Sequence, residues 1–349
     1  MERVVEYITK LTNIASPTGY TGEVMTYIYN EAKGLGFEPK FNNKGAVMVT
    51  VKGKDDESHR MVTAHCDTLG AMVRAIKADG RLKIDLVGGF TYNSIEGENC
   101  LVHVGATGKK ISGTILMHQT SVHVYDDAAS AERNQANTEV RLDEKVRNAD
   151  ETKALGIQVG DFISFDARTL VTETGFIKSR HLDDKASAGI LLDVLRRISE
   201  GGLKLANTTH FYFSNNEEVG YGANSNVPEK VVDYLAVDMG AMGDDQQTDE
   251  YSVSICVKDS SGPYNYEFRN LLVDLCKENS IDYRLDIYPR YGSDASAAMR
   301  AGHDVRHALF GAGIESSHSY ERTHVDSVRA TEALLVAYLE KEVTYGGNE

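Results

Sequence analysis

The chain has 349 residues, of which 41% are hydrophobic and 26% are charged, and it contains 31 Gly but only 5 Pro. This composition excludes collagen, coiled coils and a mostly disordered chain, and the length is typical of about two domains. The 52 acidic and 37 basic residues give a formal net charge of −15, and so acidic a surface repels phosphate. We therefore expect no nucleic-acid partner and no membrane partner.

The N-terminal part of the chain predicts helices followed by two strands. Hydrophobic residues recur at helical spacing over 24–35, and glycines end this pattern. The apolar runs at 46–51 and 61–64 predict strands, and the second run leads directly into His65 and Asp67.

The pattern changes between residues 69 and 168, where short strand-like pieces are separated by glycine-rich turns. These pieces are 71–76, 82–87, 111–116 and 162–165. The stretch 126–153 is strongly polar and charged, which indicates a mobile or solvated connection. We therefore predict that 69–168 is an inserted, β-rich lid or dimerisation domain, and that 1–68 and 169–349 together form a catalytic domain.

Strands and helices alternate again after the insert. Helices are predicted at about 186–198, 264–279 and 328–341, and strands at 209–214, 234–237, 283–288 and 305–310. This alternation predicts an α/β fold in which a mixed, largely parallel sheet is covered by helices on both faces. The smaller β-rich domain is inserted into it.

Histidine and acidic residues follow several of these strands. His65 and Asp67 follow the strand at 61–64. Glu217 and Glu218 follow a second strand, and Asp238 directly follows a third. Because ligands of open α/β sheets bind outside the carboxyl ends of the strands, we expect these side chains to converge at one edge of the sheet.

The combined set of residues suits two divalent metal ions. Imidazole nitrogens and carboxylate oxygens bind Zn²⁺, Co²⁺ or Mn²⁺ without a thiolate. The candidate metal ligands are His65, Asp183, Glu218, Asp238 and His318, with Asp183 as the bridge between the two ions. Asp67 is the candidate residue that orients His65, and Glu217 is the candidate general base.

Each of these residues also has an ordinary structural interpretation. Asp183 and the aspartate after it precede a helix, where they would act as an N-terminal cap. Adjacent glutamates are usually solvated, and Asp238 would simply open a turn. Cys66 points away from the face that carries His65, so we interpret it as a buried thiol. The hypothesis of a metal site therefore depends on the joint occurrence of these residues at the ends of elements.

Six segments occur in a characteristic order and spacing. They are HCD (65–67), HLDDKASAG (181–189), NNEEVGYGA (215–223), AVDMG (236–240), YGSDASAA (291–298) and the region around His318. Together they resemble the tetrahedral and glutamyl aminopeptidase family of dinuclear metallopeptidases. The resemblance covers nearly the whole chain, including the segment 155–166 that leads from the insert back into the catalytic domain.

The resemblance implies a division of the ligands between two ions. His65 and Asp238 would bind one ion, and Glu218 would bind the other together with His318. One departure from the family pattern concerns this last ligand, because the spacing after His318 differs from the expected one and makes His324 a rival. The resemblance also implies a homo-oligomer, from a dimer up to a dodecamer.

We predict a metal-dependent aminopeptidase that acts on peptides with a free N-terminus through water activated by two divalent ions, with Zn²⁺ ahead of Co²⁺ and Mn²⁺. The alternatives are another metal-dependent amide hydrolase, a glycoside hydrolase and a non-catalytic metal-binding scaffold. The glycoside hydrolase is disfavoured because Glu217 and Glu218, if they continued a strand, would point to opposite faces. Four cysteines without a CxxC pair, and a charged first turn that is untypical of a signal peptide, predict a cytoplasmic location.

Overall fold

The computed structural model describes residues 3–343, which contain seven α-helices and eighteen strands. The helices are α1 (Arg3–Thr12), α2 (Gly22–Gly34), α3 (Ala149–Ala154), α4 (Leu182–Ser199), α5 (Tyr266–Glu278), α6 (Asp294–Arg300) and α7 (Val325–Glu340). The strands up to the middle of the chain are β1 (Lys40–Phe41), β2 (Val47–Val51), β3 (Asp55–His65), β4 (Gly70–Ile76), β5 (Leu82–Val87), β6 (Asn99–Val104), β7 (Lys109–Met117), β8 (Thr138–Leu142) and β9 (Phe162–Phe165). The later strands are β10 (Leu170–Val171), β11 (Phe176–Ser179), β12 (Asn207–Ser214), β13 (Val231–Ala241), β14 (Val253–Asp259), β15 (Gly262–Pro263), β16 (Tyr283–Ile287), β17 (Arg306–Ile314) and β18 (Glu321–His324).

A nine-stranded sheet forms the centre of the larger part of the molecule. Its order is β1-β2-β12-β3-β13-β17-β14-β15, and β16 pairs with β14. The four central strands β12, β3, β13 and β17 are parallel, whereas β2 and β14 run antiparallel to them. The carboxyl ends of the four central strands therefore lie at the same edge of the sheet.

Hydrophobic packing covers both faces of this sheet. Phe211 and Phe213 of β12 pack into the core that includes residues of α1, α2, α4 and α7, whereas Tyr212 packs on the opposite face with Ala295 and Ala298 of α6. All eight residues of β12 are buried, as is typical of a central parallel strand. The predicted α/β fold, a mixed sheet with helices on both faces, is confirmed.

Strands β4 to β9 form a closed six-stranded barrel in the order β4-β5-β8-β7-β6-β9. All of its strand pairs are antiparallel, and it has a separate hydrophobic core. A smaller β-rich part inserted into the α/β part is thus confirmed as a feature of the fold. The barrel strands run from Gly70 to Phe165.

Part of the polar stretch 126–153 was wrongly expected to be only a solvated connection. It contains β8, which closes the barrel, and α3. Only Val140 and Leu142 of β8 contribute large apolar side chains to the barrel core, so the strand has too few hydrophobic residues to stand out from its polar surroundings. Several elements outside the insert, among them β14 and α6, were also not predicted. Within residues 3–343, no helix is both long enough and apolar enough to cross a membrane.

Candidate active site

The predicted site residues meet at the carboxyl edge of the central parallel strands. His65 is the last residue of β3, and Asp238 lies near the end of β13. Glu217 and Glu218 follow β12, and His318 lies in the loop between β17 and β18. The convergence that the strand ends predicted is therefore present in the structure.

The carboxylate of Asp183 lies between two imidazoles. Its Oδ1 is 3.1 Å from Nε2 of His65, and its Oδ2 is 3.3 Å from Nε2 of His318. Asp183 is 6% exposed and His65 is buried, so their contact is shielded from water, whereas the side chain of His318 is 34% exposed. A carboxylate that presents one oxygen to each of two histidines has the geometry required of a bridge between two cations.

The two glutamates lie in a single 3-10 turn, Glu217–Val219, that ends at Gly220 with a left-handed φ of +88°. Glu218 Oε2 is 3.5 Å from Nε2 of His318, and Glu217 Oε2 is 3.8 Å from Nε2 of His65. Both carboxylates therefore face the same cluster. The expectation that they point to opposite faces was wrong, because β12 ends at Ser214 and the turn redirects the chain.

Asp67 connects the end of β3 to this turn. Its carboxylate accepts hydrogen bonds from the backbone N–H groups of Glu217, at 3.2 Å, and Glu218, at 3.3 Å, and from the Thr18 hydroxyl at 2.7 Å. The nearest contact of Asp67 with His65 is made by its backbone carbonyl, which lies 3.0 Å from Nδ1, while its Oδ1 lies at 3.6 Å. Asp67 thus contacts both the imidazole of His65 and the backbone of the glutamate turn.

Asp184 is a site residue that the sequence interpretation missed. It is fully buried, and one of its oxygens accepts the backbone N–H of His65 at 3.1 Å. The other oxygen, Oδ1, is buried and has no hydrogen-bond partner among the described residues 3–343. The position of Asp184 before a helix made it look like part of a cap, but Asp183 and Asp184 both have non-helical φ and ψ values.

Glu321 is a second residue to which the sequence interpretation gave no role. Its Oε2 accepts the backbone N–H of Asp183 at 3.0 Å, and its Oε1 accepts the backbone N–H of His318 at 3.1 Å. The side chain is 1% exposed. Glu321 thus fixes the distance between the chain segments that carry two candidate ligands. Its position three residues after His318 was the only signal in the sequence.

His318, and not His324, lies in this cluster. Nε2 of His324 contacts the backbone carbonyl of Thr174 at 2.8 Å, and its Nδ1 accepts the N–H of Asp326 at 3.1 Å as the N-cap of α7. Both ring nitrogens of His324 are therefore occupied by contacts that have a structural explanation.

Burial and mutual repulsion make the ionised carboxylates of this cluster unfavourable without a cation. Burial, helped by the charge of Asp183, raises the pKa of Glu218 to about 8 and that of Asp238 to about 7. Burial also raises the pKa of Glu217 and that of Asp184 well above the usual range. Positive charge in the cluster would offset this penalty.

The same neighbours favour the charged form of the two histidines. Burial alone would lower the pKa of His65, but hydrogen bonds to Asp183 and Asp67 outweigh it and raise that pKa. Burial is also the largest single effect on His318 and would lower its pKa, but the hydrogen bond to Asp183 together with the charges of Glu218 and Asp183 raises that pKa to about 11. The carboxylates of the cluster therefore favour a positively charged neighbour at both of these positions.

The donor set fits divalent cations. Ligand atoms of His65, Asp183 and Glu218 lie within 4.8 Å of one another, and so do those of His65, Asp184 and Asp238. Nitrogen and carboxylate donors without thiolate suit Zn²⁺, Co²⁺ and Mn²⁺. The unpartnered oxygen of Asp184 belongs to the second of these groups, which is consistent with an acceptor reserved for a cation.

A cavity of about 660 Å³ opens onto the cluster. Glu217, Glu218 and Asp238 line one side of it, together with Asp183 and His318. Its other side is formed by segments after β13 and β16 and includes Met242, Tyr288 and Arg290. The cluster is thus accessible to a ligand of the size of one or two amino-acid residues.

Two solved structures share the fold of this chain. The structure of a TET aminopeptidase from the marine sediment archaeon Thaumarchaeota archaeon SCGC AB-539-E09 superposes with a TM-score of 0.87 at 19% identity, covering 97% of both chains. That of the Pyrococcus horikoshii TET1 peptidase gives a TM-score of 0.84 at 21% identity, covering 97% of this chain and 99% of the other. At these identities the likeness shows a shared fold.

Sequence comparison extends the likeness from fold to family. The "Putative aminopeptidase YhfE" of Bacillus subtilis (strain 168) is 59% identical over 340 residues, which cover 97% of this chain and 98% of that protein. The model of the M42 glutamyl aminopeptidase family matches residues 45–334. The predicted resemblance and the predicted class of enzyme, a peptidase, are both confirmed. This chain belongs to the M42 glutamyl aminopeptidase family.

Proposed function

We propose that this protein is an aminopeptidase that uses two divalent metal ions and the carboxylate of Glu217 to hydrolyse the first peptide bond of its substrates. The observation that carries this proposal is the position of Asp183 between the buried His65 and the partly exposed His318. His65 and Asp238 would hold one ion, and Glu218 and His318 the other. Asp184 lies close enough to His65 and Asp238 to support the first ion.

The residues of this chain divide the chemistry among them. When bound, divalent ions supply a Lewis acid that polarises the scissile carbonyl and favours deprotonation of the attacking water. Glu217 lies beside the proposed ligands, and its carboxylate accepts the proton of the water and delivers it to the leaving amine. Asp67 keeps Glu217 in place through the backbone of the 3-10 turn.

The acidic cavity supports cleavage at the N-terminal end of a peptide. A free α-amino group is positively charged when it is protonated, and this charge is favoured beside the carboxylates of the cluster. A blocked N-terminus lacks this contact. We therefore expect hydrolysis of peptides with a free N-terminus and no hydrolysis of their N-acetylated forms.

The division of the chain and its assembly are part of the same proposal. We propose that 1–68 and 169–349 form the catalytic domain and that 69–168 forms a lid or dimerisation domain. The Pyrococcus horikoshii TET1 peptidase assembles into a tetrahedron or a large octahedral shell, and this likeness supports a homo-oligomer, from a dimer up to a dodecamer. The four cysteines are buried free thiols, which supports a reducing cytoplasmic location.

Two matched variants test the proposal. Glu217→Gln removes the base but no proposed ligand, whereas Glu218→Gln removes a ligand from the adjacent position. We expect Glu217→Gln to retain the metal content of the wild type and to lose most of its turnover on aminoacyl-p-nitroanilides, and Glu218→Gln to lose bound metal as well. Metal content is measured by elemental analysis of the purified variants.

The outcomes separate the alternative functions. Wild-type turnover of Glu217→Gln would eliminate it as the base. Activity that survives complete removal of metal would point to a carboxylate-only hydrolase, such as a glycoside hydrolase. Tight metal binding without turnover of any aminoacyl amide would support the alternative of a non-catalytic metal-binding scaffold.

A further inference from the structure

The loop that follows β5 of the barrel reaches across to the proposed metal cluster. The backbone carbonyl of Gly89 in this loop lies 2.6 Å from Nδ1 of His318. A carbonyl oxygen only accepts hydrogen bonds, so Nδ1 of His318 must carry the proton and donate it. The nitrogen that remains for a cation is therefore Nε2, which faces Asp183 at 3.3 Å and Glu218 at 3.5 Å.

The preceding residue, Gly88, brings the same loop against Glu218. Its φ is +94°, a left-handed value that disfavours any residue with a β carbon. A β carbon at Gly88 would lie 2.4 Å from Cδ2 of Leu69 and 3.7 Å from Cβ of Glu218. Glycine at this position therefore allows the loop to approach both His318 and Glu218, the two residues proposed to hold the same ion.

A buried ion pair holds the barrel in position beside this site. Glu98, the residue immediately before β6, lies 3.3 Å from Nη1 of Arg180, and the same guanidinium donates to the carbonyl of Ser94 at 2.9 Å. Arg180 is 4% exposed and precedes Asp183 by three residues. The barrel is thus attached to the segment that carries the proposed bridging ligand.

We propose that the Gly88–Gly89 loop of the barrel is a positioning element of the second metal site, in which the Gly89 carbonyl selects Nε2 of His318 as the ligand atom. This inference rests on the proposed function, since it requires His318 to bind a metal ion. It assigns to the inserted barrel a role in metal binding that does not depend on assembly. Loss of a hydrogen bond to a ligating histidine typically weakens metal binding about 10- to 100-fold.

The test is a titration of the metal-stripped, full-length protein with Co²⁺ alone. Binding is measured by calorimetry and by visible absorption. Gly88→Val disfavours the position of the loop beside His318, because a β-branched residue disfavours this φ and its β carbon would have to displace Cδ2 of Leu69. Gly160→Val is the matched control, since Gly160 also lies in the barrel part and also has a φ of +94°, but a β carbon there would meet nothing within 4 Å.

We expect the wild type to bind two Co²⁺ ions per chain. Gly160→Val should bind both ions with the same affinities as the wild type. In Gly88→Val, one of the two sites should be about 10- to 100-fold weaker and the other unchanged. The inference would be overturned if both sites of Gly88→Val kept wild-type affinity. It would also be overturned if both variants were weakened equally at both sites. Either result would leave the proposed two-metal function standing. Failure of the wild type to bind a second ion would instead overturn the proposed two-metal function.

A crystal structure of the wild-type protein with Co²⁺ decides the question if Gly88→Val does not fold. The inference requires the metal ion on Nε2 of His318 and the Gly89 carbonyl within hydrogen-bond distance of Nδ1. A metal ion on Nδ1, or a loop that has moved away from His318, would overturn it.

Discussion

His210 provides a quantitative test of the burial and hydrogen bonding within the sheet, away from the proposed metal ligands. Its side chain is buried in β12, with Nδ1 2.8 Å from the Thr50 hydroxyl and Nε2 2.9 Å from Nδ1 of His59. Burial, together with the charge of His59, lowers the pKa of His210 to about 4, and the weaker effect of Asp56 opposes this change. The protonated form of His210 is therefore unfavourable in the folded protein.

The sign of the resulting pH dependence follows from the two states of the chain. An unfolded histidine binds its proton below a pH of about 6.5, whereas folded His210 binds it only below about 4. Between these values the unfolded chain holds more protons, so stability is lost as the pH falls through this window. A difference of about 2.5 pKa units corresponds to roughly 3 kcal/mol of unfolding free energy across the whole window.

The assay is urea unfolding, followed by circular dichroism from pH 4 to pH 7 at fixed protein and metal concentrations. His210→Gln does not titrate, so the difference between its unfolding free energy and that of the wild type should change by roughly 3 kcal/mol over this range. Titrating groups that do not contact His210 cancel in the difference, whereas the neighbouring His59 remains coupled to it. His123→Gln, which removes an exposed histidine, is the control for the substitution itself. A flat curve for His210→Gln would refute the reasoning.

Three further predictions concern the site. Glu217→Gln should lower kcat by about 10²- to 10⁴-fold with metal content unchanged, and a smaller loss in steady-state kinetics would contradict its role. Chelation should lower the thermal unfolding temperature, and Zn²⁺, Co²⁺ or Mn²⁺ should restore it, since free metal at about 100 times Kd contributes about 2.7 kcal/mol; an unchanged melting curve would count against a metal site. Glu321→Gln, which replaces one of the two oxygens that accept N–H groups of Asp183 and His318, should cost about 1–3 kcal/mol in urea unfolding, and unchanged stability would exclude this clamp.

The parts of the site that could be predicted are those with a local signature. His65 follows the mainly hydrophobic run 61–64, and Glu217 and Glu218 come shortly after the strand-like run 209–214. Such a run predicts a buried strand, and a parallel sheet brings the carboxyl ends of its strands to one edge. The position of these side chains therefore follows from hydrophobic pattern and topology, without knowledge of any individual contact.

Residues with two plausible local explanations were harder to interpret. Asp184 stands before a helix, where an aspartate is expected as a cap, and this explanation hid its proximity to His65 and Asp238. Strand β8 was not predicted for a related reason. Its polar neighbours in the sequence outnumber the two large apolar residues that face the barrel core. In both cases tertiary contacts decide between two structures that the local sequence allows.

The contacts that fix His318 have no local signature at all. Its imidazole is held by the carbonyl of Gly89, which is 229 residues away in the sequence, and its backbone is held by a carboxylate three residues later. A backbone carbonyl is present at every position, so no residue type marks the one that orients a ligand. Gly88 is required for its positive φ and for its close approach to Leu69 and Glu218. Other glycines in the barrel also have a positive φ, so this property does not single out Gly88. The choice between His318 and His324 therefore had to come from the packing of the barrel against the sheet edge, which is the same contact that the Gly88→Val titration tests.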